Sequence, residues 1–268
     1  MDLGLAGKKA LVCGASQGLG FACAQSLINE GVEVVIAART LSALERAQQT
    51  LGDAQQRWAQ KHHSKAFGVH IECADVTSQA GREQIKHNHP EFDIVVTNAG
   101  GPPSGDFRQW QRQDWLDALD ANMLSPIELI KAYIDPMMAK GYGRIINITS
   151  SAVKSPLSAL GLSNGARAGL TGFVAGLARQ SVARGVTINN LLPGTFETDR
   201  LRSNFMHQAH LQGLSVEQVI KDRLDKHPAK RFGSPHELGQ ACAFLCGLHS
   251  GYINGQNILL DGGSFLGS

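Results

Sequence analysis

The sequence predicts an α/β fold: a parallel seven-stranded sheet with helices on both faces. Two observations predict it. Short β-branched runs alternate with longer amphipathic segments along the chain, the pattern of buried parallel strands joined by helical crossovers. A glycine-rich run also stands where the first strand should turn into the first helix.

The strand candidates, in order, are KALVC (9–13), EVVIAA (33–38), GVHIE (68–72), DIVVTN (93–98), GRIINIT (143–149), VTINNL (186–191) and NILLD (257–261). Helices are expected near 18–30, 41–62, 78–88, 112–140, 163–184 and 235–248, with right-handed crossovers. No Pro/Gly/Ser-rich linker, repeat or low-complexity tract divides the chain, so residues 1–268 read as one domain. The irregular part is 193–232, whose apolar positions (Leu201, Phe205, Leu211, Leu214, Val219, Ile220, Leu224) suit a helical lid or substrate loop better than disorder.

Composition narrows the function. A chain of 268 residues with 43% hydrophobic content can bury a large core, and 25 basic against 23 acidic residues leave a formal charge of +2. With no block of like charge, neither nucleic acid nor an anionic membrane is called for. The start of the chain, MDLGLAGKKALVCGA, is too short in apolar length to span a bilayer, lacks a cleavage pattern and reads as the first strand. Five scattered cysteines without Cys-x-x-Cys spacing read as small buried residues of a reducing cytoplasm. KHHSK and HNHP lack further ligands at metal spacing, so no metal is expected.

CGASQGLG (13–20) places Gly14, Ser16, Gln17, Gly18, Leu19 and Gly20 at the strand-to-helix turn. Glycines let the backbone approach a pyrophosphate, and the helix start offers unpaired N–H groups, which is the fingerprint of dinucleotide binding. At the end of the second strand an acid would accept a ribose 2′-OH, whereas here Ala38 and Arg39 stand in that place. Arginine can clamp a phosphate, so NADP(H) is favoured over NAD(H); the alternative is a surface arginine near a helix start.

With these residues in place the chain resembles the classical short-chain dehydrogenase/reductase family over nearly its whole length, from ALVCGASQGLG to GYINGQNILLDGG. The resemblance implies a Rossmann-type doubly wound sheet in the order 3-2-1-4-5-6-7. It implies that Asp75 and Val76 contact adenine, that Asn98, Ala99 and Gly100 stabilise the sheet beside the cofactor, and that Pro193, Gly194, Thr195 and Thr198 contact the nicotinamide side. It also implies homodimers or homotetramers through 112–140 and 163–184, although the small residues of GARAGLTGFVAGLARQ could equally pack on their own sheet.

The family's Asn-Ser-Tyr-Lys set maps onto Asn122, Ser150 (with Ser151 in reserve), Ser163 and Arg167, so the phenol and the ammonium are both replaced. The chain's three tyrosines, Tyr133, Tyr142 and Tyr252, lie far from this segment in sequence. Moving a phenol from a pKa of about 10 to about 7 takes roughly 4 kcal/mol, whereas a serine hydroxyl comparable to water, at roughly 15.7, would need about 11 to 12 kcal/mol. Arg167 can bind ribose hydroxyls but does not relay protons. Lys154, four residues after Ser150, is therefore a candidate proton donor, with a solvated loop lysine as the alternative. The stiff GGPPSGDF loop (100–107) is expected beside the pocket. The leading expectation is an NADP-dependent oxidoreductase acting on a carbonyl or secondary alcohol, of 3-oxoacyl type, with an altered acid/base group. An NADP-binding sensor without dehydrogenase activity is the alternative, and a lyase-like activity a third.

Overall fold

The computed structural model describes residues 2–267. Seven parallel strands form one sheet: β1 Lys9–Cys13, β2 Glu33–Ala38, β3 Val69–Cys73, β4 Ile94–Thr97, β5 Gly143–Ile148, β6 Val186–Pro193 and β7 Asn257–Leu260. Their spatial order is β3-β2-β1-β4-β5-β6-β7. The chain builds outward from β1 to β3, then returns to lay β4 against β1, with Ala10 opposite Ile94 and Val12 opposite Val96. That reversal opens a crevice beyond the carboxyl ends of β1 and β4, where open sheets of this kind bind ligands.

Alternation within each strand divides the core into two layers. Ala10 and Val12, Val34 and Ile36, and Ile94 and Val96 join one apolar cluster, whereas Leu11 and Cys13, Val35 and Ala37, and Val95 join the other. The first layer is covered by α1 Gly18–Ile28, α2 Leu41–Lys61 and α9 Pro235–Cys246. The second is covered by α3 Gln79–Asn88, α5 Ser125–Lys140 and α6 Gly161–Ser181. Each aliphatic side chain buried this way contributes roughly 1.5–3 kcal/mol, so the strand ends that carry the loops are held firmly.

The expected helix over 112–140 is broken in two: α4 Arg112–Leu119, a π turn Asp120–Leu124, then α5. Asn122 is buried inside this turn, its Nδ2 donating to the Ala118 carbonyl (3.4 Å) and the Gly100 carbonyl (3.4 Å). The irregular stretch 193–232 contains α7 Asp199–Gln212 and α8 Val216–Lys226, which pack on each other through Phe205, Ala209, Val219 and Phe232. Four cysteines are buried as expected, but Cys73, at the edge-strand terminus, is exposed. On α6, Ala178 joins the second apolar cluster and Ala166 is buried, while Ala168, Gly172, Ala175 and Gly176 are exposed beside Phe173. Among the described residues no helix is long and apolar enough to cross a membrane, and no three His, Cys, Asp or Glu side chains come together as a metal site.

Candidate active site

A cleft of about 1020 Å³ runs along the carboxyl ends of the strands. On one side the β1–α1 turn contributes Gly14, Ser16, Gln17, Gly18 and Leu19. Gly14 and Gly18 have φ of +57° and +63°, a region that suits glycine and strains other residues. Gly20 does not line the cleft; a Cβ there would come 2.4 Å from the Gly14 carbonyl, so its role is to let α1 close on the turn. Gln17 precedes α1 without a side-chain cap, and no acid occupies the first helical turn. The leading N–H groups of α1 are thus unpaired beside the cleft, and the positive helix end favours an anion there.

Arg39 lines the cleft from the end of β2, exposed and without an ion pair among the described residues. Asp75 and Val76 line it from the end of β3, with Asp75 Oδ1 accepting from the Thr77 backbone N–H (3.0 Å) and hydroxyl (2.8 Å). Asn98, Ala99 and Gly100 follow β4, and Asn98 Nδ2 donates to the Gly14 carbonyl (3.3 Å), tying the first and fourth strand ends together. Pro193, Gly194, Thr195 and Thr198 line the β6 end, with Thr198 Oγ1 capping α7 by accepting from Leu201 N–H at 3.3 Å. These features suit a dinucleotide: an uncapped helix start, a glycine turn open to the cleft and an unpaired guanidinium at the second strand.

The opposite side holds the residues of the expected reaction centre. Ser150, Ser163 and Arg167 all line the cleft. Ser163 and Arg167 are i and i+4 on α6 and so share one face. Arg167 is buried; its Nη1 donates to the carbonyls of Ile148 (2.9 Å) and Thr149 (2.8 Å), and its Nε donates to Ser163 Oγ (3.2 Å). Burial first, and the charge of Arg200 second, pull its pKa below the ordinary guanidinium value to about 10, so the group is cationic at neutral pH. Ser150 Oγ accepts from the Ala152 N–H at 3.1 Å. Each serine hydroxyl takes a hydrogen bond and, among the described residues, gives none, leaving both protons for a ligand oxygen.

Two expected residues fall elsewhere. Asn122 stands behind the lining, supporting Gly100 from the π turn. Lys154 does not reach the cleft: it is exposed after the 3-10 turn Ser151–Val153, its Nζ 5.8 Å from the Phe265 ring centroid. No tyrosine substitutes for the missing phenol. Tyr142 gives its hydroxyl to the Cys246 carbonyl (2.7 Å) and Tyr133 to that of His89 (3.2 Å), both with pKa raised chiefly by burial, and Tyr252 is fully exposed.

Of the 100–107 loop, Gly100, Gly101 and Pro102 line the cleft, and Gly105 N–H donates to the Ala159 carbonyl (2.9 Å). Trp110 packs so tightly beyond it that a Cβ on Gly161 would lie 2.6 Å from the indole, which fixes the start of α6 and hence Ser163. Sequence reading missed Arg200, Asn204 and Arg223, which line the cleft from α7 and α8. Nothing in their local sequence signals this, because the packing of two helices brings them there.

A family model described as enoyl-(acyl carrier protein) reductase matches residues 14–264. The 3-oxoacyl-[acyl-carrier-protein] reductase of Vibrio cholerae is 32% identical over 266 residues, covering 98% of this chain and 100% of that protein. The Escherichia coli enzyme of the same name is 33% identical over 263 residues, 97% of this chain and 98% of its own. Among solved structures, L-sorbose reductase from Gluconobacter frateurii, complexed with NADPH and L-sorbose, superimposes with a TM-score of 0.90 at 26% identity over 100% of both chains. An NADPH-dependent reductase involved in bacilysin biosynthesis gives 0.87 at 26% identity, over 97% of this chain and 99% of its own.

Proposed function

We propose, from the premise that the chain belongs to the classical short-chain dehydrogenase/reductase family, that it is an NADP(H)-dependent oxidoreductase interconverting a carbonyl and a secondary alcohol, with a 3-oxoacyl-type compound as one substrate class. The observation that carries the reading is one cleft lined both by the glycine turn with Arg39 and by Ser150, Ser163 and Arg167. When bound, NADPH supplies the hydride. The N-terminus of α1 and Arg39 would hold its phosphates, and Asp75 its adenine end.

The chain's own residues then manage the substrate oxygen. Ser150 and Ser163 donate their hydroxyl protons to it, polarising the carbonyl. As the carbon takes up hydride, negative charge gathers on that oxygen, and the Arg167 cation, one hydroxyl away through Ser163, stabilises it. No phenol is needed to complete reduction. Ser163 passes its hydroxyl proton to the alkoxide and regains one from water, which leaves as hydroxide; a secondary alkoxide is about as basic as hydroxide, so the exchange is close to balanced. The helix pair α7 and α8 serves as the lid over this side, and the exposed small-residue face of α6 as the surface for self-association into a homodimer or homotetramer.

The test pairs NADPH fluorescence titration with a turnover screen over ketones and oxoacyl thioesters, run on the wild type and Lys154→Met. Tight NADPH binding with turnover is expected, and Lys154→Met should stay within about twofold because its ammonium lies off the cleft. Tight binding without turnover across the panel would instead favour a cofactor-binding sensor, the reading that the missing phenol recommends. A large loss in Lys154→Met would return the proton to that lysine.

A further inference from the structure

The geometry points to Arg200 as the residue that seats a carboxylate carried by the substrate close to its reacting carbonyl, so that the cleft selects a short oxo acid. The inference rests on the reductase reading for the carbonyl, but the anion site itself stands on separate observations. Arg200 projects from the first turn of α7, and its Nη2 donates to the Gly101 carbonyl at 3.2 Å. Gly101 permits that approach, since a Cβ there would sit 2.9 Å from Nη1. The guanidinium is therefore laid over the loop after β4, where it lines the cleft.

Arg167 and Arg200 face the same space without a counter-ion, and Arg223 of α8 also lines the cleft without an ion pair among the described residues. Neither Arg200 nor Arg167 forms an ion pair among the described residues, although Asp117, Asp120 and Asp199 also line the cleft. Arg167 is only 8% exposed, and its Nη2 has no partner among the described residues. A buried cation neutralised only by carbonyl dipoles is costly, and a second cation near enough to perturb it adds repulsion. An anion between them relieves both costs.

Position decides which anion. The α1 N-terminus and Arg39 are at the β1–β2 side of the cleft, whereas Arg167 and Arg200 border the β4–β5 side with Ser150 and Ser163. The charge they receive thus belongs to the molecule whose oxygen the serines hold. A planar guanidinium matches a carboxylate with two parallel hydrogen bonds.

Calorimetric titration of acetoacetate and of methyl acetoacetate, into the protein free and saturated with NADPH, tests this without relying on catalysis. The acid should bind about tenfold or more tightly than the ester. Arg200→Gln should abolish that ratio, and Arg200→Lys should retain part of it. Equal binding of acid and ester, a ratio that survives in Arg200→Gln, or displacement of NADPH by acetoacetate would overturn the proposal, the last by giving the arginine pair to the cofactor. Acid preference without any turnover keeps the carboxylate site and removes the reductase reading. Turnover of the ester with no acid preference does the reverse.

Discussion

Arg167→Met is expected to lower kcat/KM for carbonyl reduction by on the order of 10² to 10³, because it removes the buried cation at the wall that holds the two serines. Methionine keeps much of the volume and loses the charge. The variant also strips the donors from the Ile148 and Thr149 carbonyls, each about 1–3 kcal/mol when left unmet, while relieving the cost of a desolvated guanidinium. These stability effects oppose one another, so the loss of activity should far exceed any change in Tm. Arg167→Lys restores the charge with fewer donors and should recover part of the rate. Wild-type turnover in Arg167→Met would remove the cation from the mechanism.

The same site sets a pH law. With Arg167 protonated until about pH 10 and no phenol in the cleft, no group of the reaction centre should titrate from roughly pH 6 to 9. Carbonyl reduction should therefore be flat across that range. Alcohol oxidation, which passes through the same transition state after losing a proton to solvent, should rise about tenfold per pH unit without a plateau. A plateau near neutrality would reveal an enzyme base. The sign for stability is distinct: the unfolded chain keeps the Arg167 proton to a higher pH than the folded one, so the cost of burying the cation is full below about pH 10 and relieved above it.

Arg39→Asp should carry the second large effect, a swing on the order of 10² or more in the ratio of NADPH to NADH affinity. Arg39 is exposed at the end of β2 and free of ion pairs among the described residues, so its donors are available to a phosphate. A carboxylate there would repel that phosphate and accept a ribose hydroxyl instead. Fluorescence titration of both cofactors measures the swing, and stability should barely change at so exposed a position. Unchanged cofactor preference would make Arg39 an ordinary surface arginine.

How far the sequence carried these conclusions depended on the range of the forces involved. All seven strands fall within two residues of their expected positions, because alternating burial on two faces is written locally in runs such as EVVIAA. The glycine turn was legible for the same reason. The π turn was not, since one extra residue around Asn122 leaves the apolar spacing of 112–140 looking helical. For Lys154 the sequence left two readings open, and the residue is the exposed loop lysine of the second, following the turn after Ser150 and absent from the cleft lining. Arg200 escaped notice because its partner, the Gly101 carbonyl, lies 99 residues away in sequence.

The turn at Asp120–Leu124 also constrains how the gene can change. Each helical residue advances the face by about 100°, and a π turn holds one residue more than an α turn. Deleting any one of these positions would force α-helical spacing across the junction, where Pro126 has no N–H to give and its ring would crowd the carbonyl four residues before it. It would also swing the whole of α4 around, carrying Asp117 off the cleft, Trp115 off Trp110 and the support for Gly100 away from its loop. The segment should therefore accept substitution far more readily than a change of length, since a deletion here would move Pro126 from a helix start into a helix interior and displace the loop that α4 supports.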